Sequence, residues 1–324
     1  MGVDLTNFAE SVGDQTAGPA WIIGRQTRVT APTGVRQVQA PSGIYDLQPD
    51  EMTVVCGAGT SINELQEALG AVGQYVNLPL NSSDSGTVGG ALAQGHGDIY
   101  RLGRGALRDT LLQVRFVNHD GHVVMAGGPT VKNVSGFDLC RLFVGSFGQL
   151  GFMGETILRT RPLPKSSRWF YIEQTSMSSI DAILQRVYRP ASVLTNGQSV
   201  WFCIEGHPLD CDDTIKQLTP ILANIVEVSG PPDLRSFPYR RSAPPAQITK
   251  LFTSETEDSH LIVEAGVGII HSKAPTQSPD IEPPDIEPPD IEPPVALIHQ
   301  RILHEFNPTG RLNPGINLIS GMTQ

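Results

Sequence analysis

The chain has 324 residues, of which 39% are hydrophobic and 17% charged, so it is long enough for two domains with real cores. Its formal net charge of −10 argues against a nucleic-acid role, because phosphate binding needs a basic surface. The N-terminus lacks a basic start followed by an apolar run, and no stretch approaches the length of a membrane span. We therefore expect a cytoplasmic protein with neither signal peptide nor membrane span.

The four cysteines are isolated from one another in the sequence. They form no C-x-x-C pair and no metal-ligand spacing, and they are Cys56, Cys140, Cys203 and Cys211. We expect buried free thiols in a reducing compartment and no metal site.

The N-terminal part of the chain alternates between strand and helix patterns. Ser61 and Glu64 have the spacing of a capping box, with an apolar face behind them. This alternation predicts a small α/β unit. The predicted elements are a helix near Leu5–Val12, strands at Ala20–Ile23, Val35–Ala40 and Met52–Gly57, and a helix over Gly59–Leu69.

Two further regions follow. Asn118-His-Asp-Gly121 has hairpin turn chemistry between two apolar runs, and a strand over Gly151–Arg161 comes next. Residues 165–275 form a second α/β region. Its predicted strands are Trp169–Glu173, Val200–Glu205 and Leu261–Ile270, and its predicted helices are Ile180–Tyr188 and Thr214–Ile225.

Residues 280–294 are three copies of Asp-Ile-Glu-Pro-Pro. Paired prolines favour polyproline II, and each copy adds two negative charges, so we expect a stiff extended linker. A dedicated interaction motif is the alternative. Helical spacing resumes over Val295–Phe306 and ends at an Asn-Pro-Thr-Gly turn.

Three glycine-rich segments need a common explanation: residues 24–28, 81–90 and 127–136. None matches the nicotinamide-dinucleotide fingerprint or a Walker A sequence. Gly86-Thr-Val-Gly-Gly90 opens a small-residue run whose N–H groups could cradle a pyrophosphate. A tight turn before a closely packed helix is the plainer interpretation of the same residues.

Together the segments resemble a known family. The order of "SSDSGTVGGALAQG", "LRDTLLQVRFVNHDG" and "GGPTVKNVSGFDLCRLFVGSFGQLGFMGE" is similar to the FAD-binding domain of the vanillyl-alcohol-oxidase (PCMH) type. "VKNVSGFDLCRLFVGSFGQLG" and the closing "HQRILHEFNPTGRLNPG" are similar to the flavin-binding E subunit of bacterial glycolate oxidase. The resemblance implies an α+β chain with a PCMH-type FAD-binding fold of two α/β subdomains and a small α/β cap.

The resemblance also implies domain limits. The FAD-binding domain would span residues 1–165, with its subdomain boundary near 78, and the cap would span 166–278. The repeat linker would cover 279–294, and residues 295–324 would return to the flavin domain.

The resemblance assigns cofactor contacts to three loops. The family usually has three glycines and then Ser or Thr in the first loop, whereas this chain has only Gly24 there. Left-handed backbone is costly for other residues, about 1–2 kcal/mol each. His96 is the nearby candidate for covalent attachment, but a turn residue explains it, and we expect non-covalent FAD. The implied cofactor residues are Gly24, Arg25, Gln26, Thr27, Ser85, Gly86, Thr87, Val88, Gly89, Gly90, Lys132, Ser135, Gly136 and Asp138.

The implied function is the FAD-binding subunit of a glycolate oxidase or dehydrogenase complex, which oxidises glycolate to glyoxylate. Its partners would be a second flavoprotein subunit and an iron–sulfur subunit, and it could lie at the membrane periphery through that complex. A free-standing oxidoreductase of another alcohol or hydroxy acid, or a non-catalytic structural subunit, are the alternatives. No catalytic base is assigned. Glu264 and His271 are candidates, and ordinary strand residues explain them equally well.

Overall fold

The computed structural model describes residues 2–26, 31–79, 86–129, 138–173, 177–245, 260–274 and 293–316. The chain divides into two compact units. Unit 1 comprises Met1–Asp98, Ala106–Leu163 and Ile291–Gln324, and unit 2 comprises Ile99–Gly105 and Pro164–Asp290.

Eight α-helices lie in the described ranges: α1 (Thr6–Val12), α2 (Ile62–Ala71), α3 (Val88–Gln94), α4 (Arg101–Arg104), α5 (Leu139–Phe143), α6 (Met177–Arg186), α7 (Pro208–Leu218) and α8 (Pro293–Phe306). The strands of unit 1 are β1 (Ala20–Ile23), β2 (Arg36–Gln39), β3 (Ile44–Gln48), β4 (Thr53–Gly57), β5 (Gln74–Tyr75), β6 (Leu111–Val117), β7 (Val123–Gly127), β8 (Phe152–Arg159) and β9 (Arg161–Pro162). Those of unit 2 are β10 (Ser166–Ile172), β11 (Ser192–Thr195), β12 (Val200–Gly206), β13 (Val226–Val228), β14 (Tyr239–Ser242), β15 (Leu261–Glu264) and β16 (Ile269–Ser272).

Unit 1 is built on a five-stranded antiparallel sheet in the order β3-β4-β8-β6-β7. The apolar face of α2 packs on its main core, and α8 adds Ile302, Leu303 and Phe306 to the same cluster. A second cluster joins Leu5 and Phe8 of the N-terminal region to Phe152. Both α1 and α8 are thus held to the unit by apolar burial.

Strands β1 and β2 form a separate parallel pair beside this sheet. The C-terminal segment extends that pair on its other side, through a parallel bridge between Ala20 and Leu312. Ala20 N–H donates to Arg311 O at 2.8 Å, and Asn313 N–H donates to Ala20 O at 2.9 Å. The two ends of unit 1 in sequence are therefore neighbours in space.

Unit 2 contains a seven-stranded antiparallel sheet in the order β13-β10-β12-β11-β15-β16-β14. Helices α6 and α7 contribute Ile180, Ile183 and Cys211 to a core with Phe170 and Phe202. Phe170 and Phe202 stack at 5.4 Å between ring centroids. The core residues alternate along β10 and β12, as expected for a sheet covered on one face by helices.

Most predicted elements are confirmed, including the β6–β7 hairpin, and three details are wrong. The predicted strand over Leu261–Ile270 is two strands, because Gly266 and Gly268 take φ values of +80° and +87° and turn the chain. The predicted helix at Thr214–Ile225 is α7, which starts at Pro208, a residue preorganised for a first helical turn. The capping box does not form, since the Ser61 side chain makes no capping hydrogen bond.

All four cysteines are free and buried, as predicted for the thiols themselves. Burial raises the pKa of the Cys56 and Cys140 thiols to about 11 and that of Cys203 to about 12. No described helix combines the length and apolarity needed to cross a membrane. The Asp-Ile-Glu-Pro-Pro copies lie outside the described residues except Pro293 and Pro294, which begin α8.

Candidate cofactor site

A cavity of about 330 Å³ opens in unit 1 where two of the predicted cofactor segments meet. This volume lies within the usual range of small-molecule sites. The first loop contributes Gly24, Arg25 and Gln26, and the start of α3 contributes Gly86, Thr87, Gly89 and Gly90. The structure therefore brings both segments to one cavity, although α2 and four strands separate them in sequence.

Gly24 lies close to Thr87 at the start of α3. A Cβ atom at residue 24 would lie 2.8 Å from Thr87 Oγ1, so any side chain there would push the segments apart. The chain continues through Arg25, which adds positive charge to the wall, and Gln26, which adopts a left-handed φ of +50°. A cradle of bare backbone beside a guanidinium suits the diphosphate of a dinucleotide.

The start of α3 is also bonded to the protein itself. Val88 N–H donates to Thr60 O at 2.9 Å, and Gly89 N–H donates to Ala58 O at 2.7 Å. Gly90 N–H donates to Thr87 Oγ1 at 3.1 Å, which makes Thr87 the N-cap of the helix. These three N–H groups have acceptors within the protein, and Gly86, Thr87, Gly89 and Gly90 of the same run also line the cavity.

Gly89 packs so closely on Ala58 that no room is left for a side chain. A Cβ atom on Gly89 would lie 2.8 Å from Ala58 Cβ and 3.0 Å from Ala58 O. The Val88 side chain is fully buried in the main core and is not part of the cavity wall. This segment fixes α3 against the turn that follows β4, and through Thr87 it limits the size of residue 24.

The far wall of the cavity comes from residues that sequence reasoning did not assign to the site. Phe147, Gly148 and Gly151 precede β8, and Asn313 and Ile316 belong to the C-terminal segment. The signal that could have found Asn313 is its place before Pro314-Gly315, a dipeptide that marks a turn.

The remaining predicted residues are not in this wall. Asp138 caps α5 by accepting from Arg141 N–H and forms an exposed ion pair with Arg141 at 3.1 Å. His96 is not among the residues that line the cavity. The other predicted cofactor residues, Thr27, Ser85, Lys132, Ser135 and Gly136, lie outside the described residues.

Unit 2 carries the buried polar pair formed by the two candidate catalytic residues. His271 Nε2 lies 2.8 Å from Glu264 Oε1, and both side chains are buried. Glu264 Oε2 is buried and has no hydrogen-bond partner among the described residues. Strand register places Arg240 directly across from His271. Sequence reasoning missed this arginine, because register is what joins β14 to β16.

Comparison with known proteins supports the interpretation of this cavity as a cofactor site. Residues 29–127 match the family model described as an FAD binding domain. The glycolate oxidase subunit GlcE of Escherichia coli K12 is 29% identical over 173 residues, which cover 52% of this chain and 49% of the relative. The glycolate oxidase subunit GlcD of Bacillus subtilis is 28% identical over 44% of this chain and 30% of the relative. The D-lactate dehydrogenase of Archaeoglobus fulgidus is 32% identical over 36% of this chain and 26% of the relative. The chain thus spans about half the length of these curated relatives, or less.

Solved structures agree on the fold. An alkyldihydroxyacetonephosphate synthase superposes with a TM-score of 0.68 at 14% identity, covering 95% of this chain and 74% of the other. The grass pollen allergen Phl p 4 superposes with a TM-score of 0.53 at 16% identity, over 69% of this chain and 50% of the other. The predicted α+β fold of the PCMH type is therefore confirmed. Residues 29–127 thus match an FAD binding domain, and FAD is the cofactor that this match supports.

Proposed function

We propose that the protein is an FAD-dependent oxidoreductase that oxidises a 2-hydroxy acid, with glycolate as the first candidate, to the 2-oxo acid. The observation that carries the proposal is the cavity between the first loop and α3, in a chain whose relatives are named glycolate oxidase subunits and D-lactate dehydrogenase. The bare backbone at Gly24 and the charge of Arg25 fit an anionic dinucleotide.

FAD, when bound, supplies the hydride acceptor for the C–H bond of the alcohol. The chain must supply a group that takes the hydroxyl proton and a cation that holds the carboxylate. We propose the His271–Glu264 pair of unit 2 as the candidate for the first role, because its two side chains form a buried hydrogen bond of 2.8 Å. We propose Arg240 as the cation that holds the substrate carboxylate. It lies opposite His271 in the strand register, and a planar guanidinium can bind a carboxylate through two hydrogen bonds.

Electrons that leave the reduced protein need an acceptor. We propose a second flavoprotein subunit and an iron–sulfur subunit, because the similarity to GlcE and GlcD supports assembly of a glycolate oxidase complex. Non-covalent attachment of FAD and an intracellular location with peripheral membrane association belong to the same proposal. We also propose that unit 2 acts as the substrate domain.

The experiment is an anaerobic titration of the purified, FAD-loaded chain with glycolate, D-lactate and D-2-hydroxyglutarate. Bleaching of the flavin absorbance by one of these acids, with release of the matching 2-oxo acid, is the expected result. Acid precipitation should leave all flavin in the supernatant. A flavin that no hydroxy acid reduces, alone or with its co-expressed partner subunits, would favour the non-catalytic subunit. Rapid steady turnover by the isolated chain would favour the free-standing enzyme.

The residue assignments are tested in the same assay. Glu264→Gln and His271→Asn should slow flavin reduction about 100-fold or more, and Arg240→Met should mainly raise the substrate concentration needed for half-maximal reduction. Glu227→Gln is the matched control, since Glu227 also lies on a strand of unit 2 and pairs with an arginine, at 2.6 Å from Arg168, but is exposed. Unchanged reduction rates in both Glu264→Gln and His271→Asn would remove the pair from the proposal.

A further inference from the structure

Asn313 connects three segments of the cavity wall, namely its own C-terminal segment, β1 and the turn before β8. It is 4% exposed, and its four polar atoms all take part in hydrogen bonds. It is also one of the few non-glycine residues with a positive φ, at +44°. Asparagine tolerates that conformation better than most residues, yet a buried, fully bonded and left-handed position indicates a specific requirement.

The first connection is to β1. Ala20 bonds to the backbone of the C-terminal segment on both sides, through Arg311 O and Asn313 N. Two residues further along, Ile22 N–H donates to Asn313 Oδ1 at 2.8 Å. The side-chain amide therefore continues the strand ladder where the C-terminal backbone turns away, and Gly24 follows two residues later.

The second connection is to the turn before β8. Asn313 Nδ2 donates to Phe147 O at 2.7 Å, and a Cβ atom on Gly148 would lie 2.7 Å from the same nitrogen. Phe147, Gly148 and Ile22 all line the cavity. Gln149 Nε2 also bonds to the C-terminal segment, because it donates to the carbonyl oxygens of Asn313 and Ile316 at 3.3 and 2.8 Å.

We propose that Asn313 is a positioning residue for FAD. It fixes β1, and with it the first loop, relative to the turn at Phe147, so that the cavity has the shape of the cofactor before the cofactor binds. The C-terminal segment is then part of the cofactor site, although almost the whole chain separates it in sequence from the cavity's first wall. This inference rests on FAD as the cofactor and is independent of the substrate.

Three substitutions at this position separate the possible causes. Asn313→Gly keeps the left-handed backbone but removes both side-chain bonds, whereas Asn313→Ala also adds backbone strain. Asn313→Asp keeps an acceptor for Ile22 N–H and places a carboxylate oxygen against Phe147 O. Asn118→Ala is the control for stability. Like Asn313, Asn118 uses its side-chain oxygen to accept from backbone N–H groups, here those of Asp120 and His122, but Asn118 does not line the cavity.

The experiment is an FAD titration of the full-length apoprotein, followed by flavin fluorescence and visible circular dichroism, with hydrogen exchange of the β1 amides. We expect Asn313→Gly and Asn313→Ala to weaken FAD binding about tenfold or more, change the visible circular dichroism and speed exchange in β1. Asn313→Asp should keep β1 protected and still bind FAD more weakly than the wild type. Asn118→Ala should lower Tm without changing FAD affinity.

Wild-type affinity and visible circular dichroism in Asn313→Gly would overturn the proposal. So would a loss of FAD affinity that simply follows Tm across all four variants, because that would make Asn313 a general stabilising residue. If a variant fails to fold, Asn313→Asp alone still decides, by comparing its affinity with that of Asn118→Ala. Failure of the wild-type chain to bind FAD would instead contradict the cofactor assignment.

Discussion

The two segments that meet at the cavity differ in how they use glycine. The start of α3 has three glycines in five residues, yet its Val88 and Gly89 N–H groups bond to the turn after β4 and Gly89 packs on Ala58. The first loop has a single glycine, and it presents Gly24, Arg25 and Gln26 to the cavity. Both segments line the cavity, but the glycine-rich one is also packed and bonded against the turn after β4, whereas the three atoms nearest to a Cβ at Gly24 in the first loop all belong to Thr87.

This difference makes Gly24 the most sensitive position for the cofactor. In Gly24→Val the new side chain would collide with Thr87 Oγ1, which is the cap of α3 and has little room to move. We expect FAD affinity to fall about 100-fold, equivalent to about 3 kcal/mol, with near-native far-ultraviolet circular dichroism. An FAD titration of the apoprotein measures the effect.

The clash between a side chain at residue 24 and Thr87 can be tested with a double variant. Thr87→Ala removes the atom that meets the new side chain, so the double variant Gly24→Ala/Thr87→Ala should bind FAD better than the sum of its single variants implies. Strictly additive losses would show that Gly24 is required for contact with the cofactor rather than for the approach of the two segments.

Substitution of Gly89 should lower the stability of the fold, whereas substitution of Gly24 should lower the affinity for FAD. In Gly89→Val the branched side chain meets Ala58 Cβ and the Ala58 carbonyl, which belongs to the backbone and cannot rotate away. We expect a loss of about 1–3 kcal/mol in the free energy of unfolding, as for other overpacked cores. Denaturant unfolding of the apoprotein measures it without the cofactor. If Gly89→Val loses FAD but unfolds like the wild type, α3 contacts the cofactor directly after all.

A smaller effect is expected at Gln26, the left-handed residue of the first loop. Gln26→Gly removes the strain of a φ of +50° but gives the unfolded chain more freedom, so the net gain is about 1 kcal/mol or less. FAD affinity should stay equal or improve slightly. A marked loss of affinity would show that the Gln26 side chain, and not only its backbone, contributes to the site.

The sequence predicted the local elements of the fold because periodicity and turn chemistry are local signals. The β6–β7 hairpin and α2 follow directly from such patterns. It could not show that Gly89 packs on Ala58, since a glycine pattern is the same whether a ligand or another backbone approaches it. Asn313 and Arg240 were missed for a related reason: the bond of Asn313 to Ile22 and the position of Arg240 opposite His271 depend on how distant strands pair.

The smallest effect is expected at Gly90, and Gly90→Ala serves as the control for Gly89→Val. Gly90 adjoins Gly89 in the same helix, but a Cβ atom there meets only Thr87 Oγ1, at 3.1 Å. Because alanine favours a helix interior over glycine by about 1 kcal/mol, Gly90→Ala should leave the free energy of unfolding unchanged or raise it by less than that. Denaturant unfolding and FAD titration, run beside Gly89→Val, measure both properties. A large loss of FAD affinity in Gly90→Ala would mean that the cofactor needs bare backbone at residue 90, and the division between a structural α3 and a ligand-facing first loop would then be wrong.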